Sequence, residues 1–132
     1  MFVLLLLTLA ACHRHADPPA VDSRNACERG LGQWTGDDVD TRETDPGALT
    51  VARNAVRTQH WRITENTLES IEGTGRPTRE ALRVVLDSPE RCDVELTLGD
   101  RSRRLNYALL ADGRLRVGVP GGSVAMVLRR DR

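Results

Sequence analysis

The residues of this 132-residue chain that could bind or catalyse are three histidines, three cysteines and nineteen carboxylates. Hydrolytic catalysis needs a nucleophile, a base and an orienting group that converge on one place. His60 is the one histidine outside the N-terminal stretch, and it precedes Trp61 at an expected helix-to-strand junction. No serine stands in a Gly-x-Ser-x-Gly setting, and Gly121-Gly122-Ser123 has the composition of a hairpin loop. His13 and His15 flank Arg14 in a polar segment with no further ligand nearby, too open a set for a closed metal site. Asp37, Asp38 and Asp40 alternate as acids do in calcium loops, yet the rest of such a loop is missing, so a solvated loop is expected. Glu65, Glu69 and Glu72 fall near two turns and form no acid pair. These residues predict no catalytic set, no metal and no cofactor, and therefore a protein that is not an enzyme.

The cysteines carry more. Phe2–Ala11 is a run of ten uncharged residues that ends in Leu9-Ala10-Ala11-Cys12. It is far shorter than the roughly 20 residues that span a bilayer as a helix. Charged and proline-broken sequence, His13-Arg-His-Ala-Asp-Pro-Pro19, follows at once, which a core element would not tolerate. The small residues before Cys12 resemble the lipobox of bacterial lipoprotein signal peptides, although no basic residue precedes Phe2 as is usual. That resemblance implies that residues 1–11 are removed and that Cys12 carries acyl chains holding the protein to a membrane. It implies a place in the bacterial cell envelope, and His13 in place of an acid after Cys12 favours the outer membrane. Cys27 and Cys92 then remain as an even pair, expected to form a disulfide in an oxidising compartment.

Composition narrows the partners. All 19 basic residues are arginine, and they are interspersed with 19 acids, so no nucleic-acid surface or polybasic lipid patch stands out. Past Cys12 the only aromatics are Trp34, Trp61 and Tyr107, too few to stack single-stranded nucleic acid. A monomer is expected, with an anchor as its membrane contact.

The elements that must position these residues follow from periodicity. Residues 12–26 show no apolar period and read as the lipidated cysteine and a tether, whose residues 13–26 reach at most about 45 Å. A single domain over 27–132 follows. Leu31–Thr35 looks like a first strand. Asp45-Pro46 resembles an N-cap with proline at the first helical position, and Leu49, Ala52 and Val56 keep helical spacing, so a helix is expected over about 46–58. From Trp61 the period becomes 2, with strands over 61–64, 68–72, 80–86, 92–98, 103–110, 114–119 and 124–129. Their inward sets run Leu82, Val84, Leu86; Cys92, Val94, Leu96, Leu98; Leu105, Tyr107, Leu109; Leu115, Val117, Val119; and Val124, Met126, Leu128. Keeping Leu109 and Leu115 on one face requires an odd loop, which Ala111-Asp112-Gly113 supplies. The same register sets Arg83 opposite Glu95 on the outside. Val85, Ala108, Leu110, Ala125 and Val127 leave an apolar outer patch that could receive the helix.

Short connections make this an up-and-down antiparallel meander, mainly β, that closes most simply into a small barrel. Gly32-Gln33-Trp34 on the first strand and Leu128-Arg129-Arg130 on the last resemble the corresponding motifs of lipocalin-like barrels. The resemblance implies that Trp34 closes one end of the barrel with Arg129 or Arg130 stacked over it. The early helix departs from that pattern. Two roles are open for the domain. It could bind a small apolar ligand inside, lined by Val84, Val94, Leu96, Tyr107, Val117 and Met126. Alternatively a packed barrel could act as an adaptor or inhibitor toward an envelope protein, with outward Arg83, Arg104, Arg114 and Arg116 as contacts.

Overall fold

The computed structural model describes residues 22–132; the expected leader 1–11, the expected lipidation at Cys12 and the expected tether as far as residue 21 lie outside them. Eight antiparallel strands, each hydrogen-bonded to the next in sequence, close into a barrel when the last pairs with the first. They are β1 (Gly32–Asp40), β2 (Gln59–Ile63), β3 (Thr67–Glu72), β4 (Thr78–Asp87), β5 (Cys92–Leu98), β6 (Arg101–Leu109), β7 (Leu115–Gly118) and β8 (Ala125–Arg130). The up-and-down meander expected from alternation is the fold, and its closure into a barrel leaves no free sheet edge.

The register rests on the residues that predicted it. Leu109 faces Leu115 across the hairpin, and Gly113 turns it at φ +87°. Arg83 opposes Glu95, with Nη2 3.1 Å from Oε1. Trp34, Trp61, Ile63, Leu68, Leu96 and Leu128 belong to one buried cluster that fills the interior. The interior is thus packed with side chains, as an eight-strand barrel allows.

Helix α2 (Pro46–Arg57) lies where the capping signal placed it. Asp45 accepts from the Ala48 N–H at 2.9 Å, and the Thr58 hydroxyl donates to the Ala55 carbonyl at the other end. The helix packs on β1. Val56 on α2, with Ala125 and Val127 on β8, is buried apart from the barrel core. The helix therefore covers the outside of the wall, and Ala125 and Val127 are the part of the outer apolar patch that is buried.

A short helix α1 (Ala26–Arg29), which no period in the sequence announced, precedes β1. Three expectations need correction. The run Asp37, Asp38 and Asp40 belongs to β1 and not to a loop, because β1 continues to Asp40 along β8 with a bulge between Gly36 and Asp38. A second bulge, between Val84 and Leu86, moves Leu86 from the inward set to a place opposite Asp93. Leu98, Val119 and Val124 are exposed at the barrel rim farthest from α1: Leu98 ends β5 there, and Val119 and Val124 lie beyond the strands because β7 stops at Gly118 and β8 starts at Ala125.

Candidate functional site

The barrel end that carries α1 is the more elaborate one. Four residues are too few for a self-supporting helix, and α1 is held by the chain around it. The Ala26 N–H donates to the Ser88 carbonyl at 2.8 Å, and the Cys27 N–H donates to Asp87 Oδ1 at 3.2 Å. Cys27 and Cys92 form a disulfide, as their even count suggested, which ties α1 to β5. Trp34 is fully buried and donates its indole N–H to the Gly30 carbonyl at 2.9 Å. Arg130 lies over the Trp34 ring, 4.2 Å from its centroid, and donates to the carbonyls of Leu31 and Arg29. Of the two arginines considered for this place, Arg130 occupies it, while Arg129 pairs with Thr35 and is exposed.

Beside this plug a crevice of about 230 Å³ opens between α1, the β2–β3 turn and β4. Leu31, Leu82, Val84 and Tyr107 give it apolar walls, while Glu28, Thr64 and Glu65 supply polar groups. The Tyr107 ring is pinned against Gly30, where a Cβ would come within 2.5 Å of Cε2. Tyr107 is only 2% exposed. Its hydroxyl has no hydrogen-bond partner among the described residues. Burial, and to a lesser degree the Asp87 carboxylate, pushes the phenol up to about 12, so it stays protonated at neutral pH.

Of the six residues expected to line a ligand space, Val84 and Tyr107 line this crevice. Val94, Leu96 and Val117 are buried in the packed core, and Met126 packs against it from the rim. Residues of α1 were invisible to sequence reasoning here. Their only signal was Cys27 itself, because a disulfide there requires the preceding chain to fold back on β5.

The other candidates resolve into structural pairs. Asp37 meets Arg114 at 3.0 Å, Asp38 meets Arg53 at 2.8 Å and Asp40 meets Arg116 at 2.7 Å. Arg53, followed by the Val39 N–H, holds the Asp38 carboxyl below its ordinary value. Among the described residues no three histidine, cysteine or carboxylate side chains gather as metal ligands would. His60 is the second residue of β2 and is exposed, with Nδ1 3.2 Å from the Thr35 hydroxyl. That hydroxyl donates its one proton to Asp131 Oδ1 at 2.5 Å, so its contact with His60 has the imidazole N–H as donor. In this arrangement His60 does not act as a base toward Thr35. No protein-family pattern and no curated protein matches this chain.

Proposed function

We propose that this protein is a non-catalytic lipoprotein of the bacterial cell envelope, held by acyl chains on Cys12, whose barrel takes one small apolar molecule. The observation that carries the reading is the crevice of Leu31, Leu82, Val84 and Tyr107, which offers apolar surface where the rest of the interior is filled. A volume of about 230 Å³ suits a single ring or a short chain, since cavities of roughly 150 Å³ already hold benzene. The Cys27–Cys92 disulfide fits an oxidising compartment. The described chain enters the fold at α1, on the end of the barrel that holds the crevice.

One observation favours the second reading, a barrel that docks an envelope protein. Leu98, Val119 and Val124 are exposed on the opposite rim, at 48%, 59% and 53%. Growth with a palmitate analogue tests the anchor: label is expected on the wild type and absent from Cys12→Ala, and an unlabelled wild type sinks it. Titration of the mature chain (residues 12–132, Cys12→Ser) with 2-phenylethanol tests the crevice. Saturable shifts of the Leu82, Val84 and Tyr107 resonances are expected, and their absence moves the weight to the docking reading.

A further inference from the structure

We propose that the barrel mouth farthest from α1 binds a small amphipathic monoanion, a carboxylate carried on a short apolar chain. The site lies at the opposite end of the barrel from the crevice and does not depend on it.

Alternation carries the inward faces of β4 and β6 past the apolar core. Toward the far rim from Leu82 and Leu105, the next inward places belong to Glu80 and Arg103, and then to Thr78 and Arg101. The register sets Glu80 opposite Leu68 and Arg103 opposite Leu96, so this pair borders the packed interior. Glu80 is only 6% exposed, and its carboxylate accepts from Arg103 Nε at 2.9 Å and from Nη2 at 2.6 Å. Such a pair gains little over two apolar side chains, because the cost of desolvation offsets the attraction. What it fixes is direction. The planar guanidinium of Arg103 is held along one edge, and its Nη1 makes no hydrogen bond among the described residues.

Arg101 stands two residues before Arg103 on the same face of β6, about 7 Å away along the strand. Among the described residues it has no carboxylate partner. The two arginines, Glu80, Thr78, Ser102 and Leu98 line a cavity of about 350 Å³. Leu98 pairs with Arg101 across β5 and β6 and is half exposed, which puts an apolar surface beside the guanidinium. Two guanidiniums against one carboxylate leave a single positive charge in this lining. That excess favours an anion of one charge and disfavours an ammonium, since Glu80 is already engaged by two N–H groups. A carboxylate matches the fork of Arg101 and can also accept from Arg103 Nη1. Its chain would cover Leu98.

Three probes of one chain length test the charge: hexanoate, hexan-1-ol and hexylammonium, each titrated into the mature chain (residues 12–132, Cys12→Ser) at neutral pH and followed by NMR. Hexanoate is expected to give saturable shifts at Leu98, Arg101 and Ser102 and to bind about tenfold tighter there than hexan-1-ol, the scale of one charge-assisted hydrogen bond. Hexylammonium should bind weakest. Arg101→Gln, at an exposed position that the fold should tolerate, should bring hexanoate to the level of hexan-1-ol and leave the alcohol unchanged. Leu98→Ser should weaken both. Equal binding of hexanoate and hexan-1-ol at the mouth, or a preference for hexylammonium, overturns the inference. So do hexanoate shifts confined to Leu82, Val84 and Tyr107, or an Arg101→Gln variant that binds hexanoate as the wild type does. None of these outcomes bears on whether the crevice takes 2-phenylethanol, so the two sites stand or fall separately.

Discussion

Arg130 does at the scale of one residue what most of the chain's arginines do not. Guanidiniums outside the barrel core, such as Arg53 on α2 and Arg116 on β7, meet carboxylates with side chains more than a third exposed, and such pairs contribute little. Arg130 meets an indole face and two backbone carbonyls at the end of α1, groups that would otherwise lose their partners. Arg130→Ala should therefore cost about 2–3 kcal/mol in urea unfolding, while Arg129→Ala stays within about 0.5 kcal/mol. Equal losses would show that the stacking contributes nothing. Tyr107, the chain's only tyrosine, makes a second prediction. Its phenol ionises near 10 when unfolded and near 12 when folded. The folded state thus holds its proton longer, so stability is complete below pH 10, falls as pH rises from 10 to 12, and levels off above. The full loss corresponds to roughly 3 kcal/mol. Phenolate absorbance should rise near pH 12 in the folded protein, and Tyr107→Phe should remove this part of the alkaline destabilisation. A phenolate signal already half developed at pH 10 in folded protein contradicts the buried, acid-flanked environment.

Elements were legible where one local rule decided them. Alternation set the strands from Trp61 onward, an odd loop set the Leu109–Leu115 register, and Asp45-Pro46 set the start of α2. Legibility failed where the deciding contact was distant in sequence. The bulges at Gly36–Asp38 and Val84–Leu86 arise from fitting strands to neighbours around a closed barrel, and nothing local to Leu86 says that it turns outward. Half of the crevice was unreadable for the same reason, since Glu28 and Leu31 reach it only because α1 is tied to β5. Gly36 shows how tightly α2 is set on the wall. A Cβ there would lie 1.7 Å from the Val56 carbonyl oxygen, which belongs to helix backbone and has no easy retreat. Gly36→Ala should cost about 2–3 kcal/mol or more as the helix is displaced. Gly47→Ala, inside the first turn of α2, would meet only Asp45 Oδ2 at 3.4 Å and should stabilise by about 0.5–1 kcal/mol. Thermal unfolding of the two variants compares them directly; a neutral Gly36→Ala means that the helix floats on the barrel.

Across the whole molecule, the Cys27–Cys92 bond joins the first turn of the fold to the middle of the barrel, over a separation of 65 residues. Closing a loop of that length in the unfolded chain is worth about 4 kcal/mol in the chain-entropy account, against a total of roughly 5–15 kcal/mol for an ordinary domain. Its loss should not be felt evenly. The strands keep their ladders and the interior keeps Trp34, Leu96 and Leu128, whereas α1 would retain two backbone anchors and the Arg130 contacts. Cys27→Ser with Cys92→Ser should therefore lower global stability by about 4 kcal/mol and release α1 first. Amide exchange at 26–31 should accelerate at concentrations of denaturant where β5 and β6 remain protected. Because α1 forms one wall of the crevice, binding of 2-phenylethanol should weaken in the same variant before the β-sheet signal changes. If exchange rises uniformly over the barrel, α1 is an integral part of the folding unit. In that case the crevice is as rigid as the core and the bond has no separate bearing on the site.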